Sequence, residues 1–194
     1  MANNSQADSL TDKPSSIQRR QKNFATEISQ DSLTSFLIKA QEITLDKKVS
    51  SPFNGLQCNK VIAYEYQGNR GEEVIDIVNN GELAPTIKQQ KALSQHQVKV
   101  LATLLGANST YGNTYAFCFA PHLGIVFFDD TKVVAHITIS LDCNRLRSSI
   151  VIPATKVKQI EIDKDHNYPA EGFSKVGRQK IISFFKELNL ITSN

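Results

Sequence analysis

Cys118, His122, His136 and Cys143 lie in one stretch, YAFCFAPHLGIVFFDDTKVVAHITISLDC, residues 115–143. Thiolate sulfur and imidazole nitrogen are preferred zinc ligands, and a thiol beside an imidazole is also the pair a cysteine nucleophile needs. Either chemistry requires convergence, since zinc ligands meet within about 2.0–2.3 Å of one point. In a strand, alternate residues point to opposite faces. Sorted this way, Val133, Ala135, Ile137, Ile139, Leu141 and Cys143 form an apolar face, and Lys132, Val134, His136, Thr138, Ser140 and Asp142 form the other. His136 is thereby separated from any site containing Cys143 and reads as an exposed or hydrogen-bonded strand histidine. Pro121 interrupts the strand between Cys118 and His122, so parity assigns neither a direction. The candidate metal set is Cys118, His122 and Cys143, a structural zinc or a thiol-dependent site. Its alternative is a pair of buried core cysteines.

Other chemistry-bearing residues read more plainly. Asp129 and Asp130 sit in DDTK, where short acidic side chains serve a tight turn. Cys58 has no neighbouring His or basic cluster to stabilise a thiolate and reads as a surface thiol. Asp163, Asp165 and Asn167 begin a calcium-type loop, but Tyr168 stands where glycine is needed and Ser174 where a bidentate glutamate is needed. That stretch reads as a polar connection. Tyr64, Tyr66, Tyr111 and Tyr115 lie on or beside strands, forming an aromatic recognition patch or finishing sheet faces with their hydroxyls at the edge. The dinucleotide fingerprint, the Walker loop, the zincin helix and the nucleophile elbow are all missing.

The elements that would position these residues follow from periodicity. DSLTSFLIKAQEI, from Asp31, carries Leu33, Phe36, Leu37, Ala40 and Ile43 at helical spacing. KVIAYEY and EEVIDIVN read as two strands of a hairpin across QGNRG. In LSQHQVKVLATLLG, Ser94 and Gln97 make a capping box, Leu93 and Val98 a hydrophobic staple, and Gly106 the stop. Strands are expected over Thr114–Phe119, Leu123–Phe128 and Lys132–Leu141, then in SSIVIP and KVKQIEI. A last helix in FSKVGRQKIISFFKELNL is capped by Ser174 and weakened by Gly177. With 40% hydrophobic residues and ten Phe, the chain can fill a core. The expected fold is α+β: one domain over residues 31–194, with a mostly antiparallel sheet of about five to seven strands packed by about three helices. A polar, disordered tail is expected over residues 1–30.

The central stretch resembles an uncharacterised bacterial protein family whose motif reads Cys-Phe-x-Pro, a nearby His, two apolar strands, then Ile-Cys-x-x-Cys. The matching residues are Cys118 to Pro121, His122, Gly124 to Phe128, and Ile139 to Cys143. Ser140 stands where the first cysteine of the pair would be, and His122 follows Pro121 directly. The resemblance covers about half the chain and implies no activity; the Ser140 exchange puts a family metal site in doubt, because a serine hydroxyl is a poor zinc ligand.

Twenty-two basic and 19 acidic residues give a net charge of +3 with the signs interspersed. Without a basic stripe, a nucleic-acid role is not expected. No apolar run approaches the roughly 18 residues of a membrane span, and no secretory signal pattern opens the chain. An odd number of cysteines argues against a disulfide framework, and cytoplasmic residence is the default. The leading expectation is a non-enzymatic domain that binds a protein or small ligand. The alternatives are the zinc or thiol site at Cys118, His122 and Cys143, and an unrecognised hydrolase.

Overall fold

The most continuous apolar run, Leu123 to Phe128, becomes the middle of a sheet, because such a run buries itself only when both faces are covered. The computed structural model describes residues 53–70, 73–163 and 166–191. The tail expected over 1–30 and the helix expected from Asp31 lie outside these residues. In chain order the strands are β1 (Lys60–Tyr66), β2 (Asn69–Arg70), β3 (Glu73–Val74), β4 (Val78–Asn79), β5 (Glu82–Leu83), β6 (Ile87–Ala92), β7 (Tyr111–Asn113), β8 (Leu123–Asp129), β9 (Lys132–Ser140), β10 (Arg145–Ser148), β11 (Gln159–Asp163), β12 (His166–Pro169) and β13 (Gly172–Phe173). Helix α1 (Gln95–Gly106) follows β6, and α2 (Lys175–Glu187) follows β13. The fold is α+β: a five-stranded antiparallel sheet in the order β10-β9-β8-β1-β6, with four two-stranded ladders around it.

One face of the sheet is covered by the helices. Val61 and Ala63 of β1, Ile125 and Phe127 of β8, and Ala135, Ile137 and Ile139 of β9 pack with Leu101 and Leu105 of α1 and Ile181 and Phe185 of α2. Ile62, Tyr64, Tyr66, Val126 and Phe128 form a second core on the opposite face, closed by Ile77, Val78 and Ala84. The closing segment descends directly onto Gly124, where a Cβ atom would strike the Ile77 side chain. Ile77 is fixed there by its backbone N–H, which donates to Thr138 Oγ1 at 3.2 Å.

The caps form as their sequences require. Ser94 N–H donates to Gln97 Oε1 at 2.9 Å while Gln97 N–H donates to Ser94 Oγ at 3.3 Å. On α2, Gly177 N–H donates to Ser174 Oγ at 3.0 Å. Gly177, unfavourable for helix formation alone, is where the helix meets the Thr110 backbone, and a side chain would collide with it.

Strand pairing departs from expectation in several places. EEVIDIVN does not pair with β1; it breaks into β3 and β4, and the partners of β1 are β6 and β8. Strand β6, IKQQKA, carries no apolar alternation because its four central residues are exposed on a sheet edge, where lysines discourage further pairing. Thr114–Phe119 is not a strand, and the expected SSIVIP strand is displaced to the preceding residues as β10. The segment from Asp163 to Ser174, expected as a polar connection, holds β12 and β13. A bulge between Phe127 and Phe128 also shifts the register at the start of β9. Val134 therefore packs with the helix-side core and Val133 with the other, although parity holds from Ala135 to Ile139. No helix among the described residues is long and apolar enough to cross a membrane.

Candidate binding surface

The loop from Thr114 to His122 leaves β7 and enters β8 without joining a sheet, so its backbone groups need partners elsewhere. The turn after β9 supplies them. Ala116 N–H donates to the Cys143 carbonyl at 3.1 Å, and Asn144 Nδ2 donates to the carbonyls of Thr114 at 2.9 Å and Phe173 at 3.0 Å. Ser140 Oγ, fully buried, donates to the Ala120 carbonyl at 3.0 Å and accepts from Cys143 N–H at 3.3 Å. At the far end, His122 N–H donates to the Ile139 carbonyl at 3.2 Å, and the His122 carbonyl accepts from Tyr66 N–H at 3.0 Å. The Ser140 position thus has a structural use that a thiol would fill poorly, since sulfur is the weaker hydrogen-bonding atom.

A disulfide between Cys118 and Cys143 completes the clamp, with Cα atoms 5.6 Å apart. This corrects the expectation drawn from an odd cysteine count: two cysteines pair and Cys58 remains. It also removes the count as an argument for a reducing compartment. Joined sulfurs carry no thiolate, so in this form Cys118 and Cys143 are not the zinc ligands considered from sequence. Among the described residues, no three His, Cys, Asp or Glu side chains gather into a metal-binding group, and His122 stands apart from such a set.

Cys58 is buried, not on the surface, and burial together with the Asp129 charge pushes its thiol up to about 11. It is an inert core thiol. Asp130 serves the β8–β9 turn at positive φ: its Oδ1 accepts from Asn59 Nδ2 at 2.6 Å and its backbone N–H donates to Asn59 Oδ1 at 3.0 Å. His136 is half-buried on the face opposite the helices, and its backbone N–H donates to Ser149 Oγ at 2.8 Å. Burial lowers its pKa, partly opposed by the charge of Asp76. Of the four tyrosines, Tyr64, Tyr66 and Tyr111 are core residues. Tyr66 and Tyr111 donate their hydroxyls to the carbonyls of Ile75 at 3.1 Å and Leu105 at 2.8 Å.

Tyr115 alone belongs to a surface cluster. The Arg145 guanidinium lies 4.2 Å from the Tyr115 ring centre and 5.6 Å from that of Phe119, and Arg147 lies 4.2 Å from Phe119 on its own account. Arg147 also pairs with Asp76 at 3.7 Å. Each guanidinium–ring contact contributes roughly 0.5–1 kcal/mol at an exposed site, enough to bias where these long side chains rest. Between Tyr115 and Phe119, Phe117 projects its whole side chain into solvent, with a relative exposure of 105%. Sequence reasoning passed over Phe117, Arg145 and Arg147. The available signal was alternation: the aromatics stand at 115, 117 and 119, and the arginines at 145 and 147 on one side of β10.

A groove of about 770 Å³ runs between α1 and α2, with Val100 and Val176 on its walls and Lys99 and Lys180 at its rim. A smaller concavity lies beside Ser148 to Ile152. Neither contains His122 or His136. Compared with known protein families, curated proteins and solved structures, the chain matches none.

Proposed function

We propose that this protein is a binding module, not an enzyme, and that a protein partner seats on the Thr114–His122 loop with Phe117 at the centre of the contact. The observation that carries this reading is a fully exposed phenylalanine on a loop cross-linked to the turn between β9 and β10. Exposing a large aromatic ring forgoes roughly 1.5–3 kcal/mol of burial, which association recovers. Aromatic residues and arginine are also the side chains that dominate the energy of protein contacts. The clamp matters equally, because a loop already held in place loses little conformational freedom on binding.

The test is selection of a random peptide library displayed on phage against the purified protein, with counter-selection on Phe117→Ala. Phe117 makes no packing contribution that its removal would forfeit, so the variant should melt with the parent. Peptides that bind the parent and lose at least tenfold affinity on Phe117→Ala support the reading. A selection yielding only peptides indifferent to Phe117, or none, overturns it.

A further inference from the structure

Arg145 differs from its neighbour in one respect. Arg147 has a carboxylate partner in Asp76, whereas among the described residues no Asp or Glu lies within ion-pair distance of Arg145. Asp142, three residues earlier and exposed in the same turn, makes no such pair. Arg145 instead rests over the Tyr115 ring and within reach of Phe119, two contacts that hold a guanidinium without neutralising it. A guanidinium packed on a ring keeps its N–H donors at the edge of its plane, the geometry that meets a carboxylate with two parallel hydrogen bonds. The surface therefore combines one uncompensated, positioned cation with one exposed aromatic ring.

From this arrangement, and resting on the binding role proposed above, we infer that the partner is an acidic peptide segment. One of its carboxylates pairs with Arg145, and an apolar side chain nearby in the same segment covers Phe117. A polyanion is a poorer match. The net charge is only +3 with interspersed signs, and a nucleic-acid backbone needs several cations in a row. An apolar partner without charge would leave Arg145 buried at the contact and unpaired, which is costly.

The same phage selection tests this separately from the binding role. The result expected is enrichment of Asp or Glu beside an aliphatic or aromatic residue in the Phe117-dependent peptides. One such peptide, synthesised and measured by fluorescence anisotropy, should bind Arg145→Gln about tenfold or more weakly, as loss of a charged hydrogen-bonded pair implies. Arg145→Lys should recover only part of the loss, since an ammonium lacks the planar fork. Unchanged far-ultraviolet circular dichroism and urea midpoints in both variants show that a loss of affinity does not come from unfolding. Phe117-dependent peptides without acidic enrichment, or with affinity unchanged in Arg145→Gln, overturn the acidic partner and leave the binding role standing. An oligo-dT 15-mer that binds as tightly as the best peptide, and depends on Arg145, overturns the inference in favour of nucleic acid.

Discussion

Replacing Cys118 with serine removes the cross-link while disturbing little else, because Cys118 is exposed and Cys143 keeps its buried place. The magnitude follows from the chain enclosed. Closing a loop across a sequence separation of 25 lowers the entropy of the unfolded chain by about 2.1 + 1.5R ln 25, close to 12 cal/mol/K, or about 3.5 kcal/mol at 25 °C. The folded loop retains the Ala116, Ser140, Asn144 and His122 hydrogen bonds, so the native state changes little and the effect lies in the unfolded ensemble. Urea denaturation followed by circular dichroism reads this directly. With a slope of about 2 kcal/mol/M, the midpoint of Cys118→Ser should fall by about 1.5–2 M. The parent in reductant should fall to meet it, and the variant should ignore reductant. Thiol titration of the unfolded parent without reductant should find one reactive thiol per chain, that of Cys58. A loss under about 1 kcal/mol would refute the reasoning, and so would three free thiols in the parent.

Two further predictions concern the opposite face of the sheet. Gly124→Ala forces a methyl group into Ile77 and should destabilise the protein by about 1–3 kcal/mol, measured as a lowered urea midpoint; pairing it with Ile77→Val should recover part of the loss. His136 has a folded pKa below its ordinary 6.5, so the folded state binds fewer protons than the unfolded state in the interval between the two. Its contribution is fully present above about pH 6.5 and is lost as pH falls through the lower folded value. Urea midpoints taken at about pH 8 and about pH 5 should therefore diverge less in His136→Gln than in the parent. An equal divergence would show that His136 is not held neutral by burial.

The strands that resist misreading are those whose neighbours agree about them. β8 and β9 were legible because every residue from Ala135 to Ile139 obeys one parity and the hairpin turn between them has its own acidic signature. The same rule failed at Val133 and Val134, because a bulge is a property of paired strands and leaves no trace in either one alone. β6 was invisible for a different reason: an edge strand can be polar throughout, since its stability comes from backbone pairing with β1 and not from its side chains. The loop carrying Phe117 has the alternation of a strand, yet its hydrogen bonds go to a turn some thirty residues later. Of the candidate site residues, Cys118, His122 and Cys143 read from the sequence as a metal or thiol set, whereas Cys118 and Cys143 form a cross-link that the sequence reading argued against. Arithmetic on three cysteines says that one must remain alone; it does not say which, or that the other two stay apart. The contacts of Arg145 with Tyr115 and Phe119 join chain positions far apart in sequence, and no periodicity records them.

The position of β1 in the sheet sets an order of assembly. Lys60 pairs with Phe128, and the ladder runs on to Glu65 with Leu123, so the central pairing of the molecule spans most of seventy residues. At synthesis rates of roughly 5–20 residues per second, β1 waits roughly 3–14 s for β8 to exist. During that interval Val61, Ile62, Ala63 and Tyr64, a β-prone apolar run with no charge, have only β6 to pair with. Strand β6 arrives sooner and is too polar to hide them from solvent. The nascent chain therefore passes through a stage in which a strand that ends up largely buried is still exposed, and the demand this sheet makes on chaperones falls before the chain is finished.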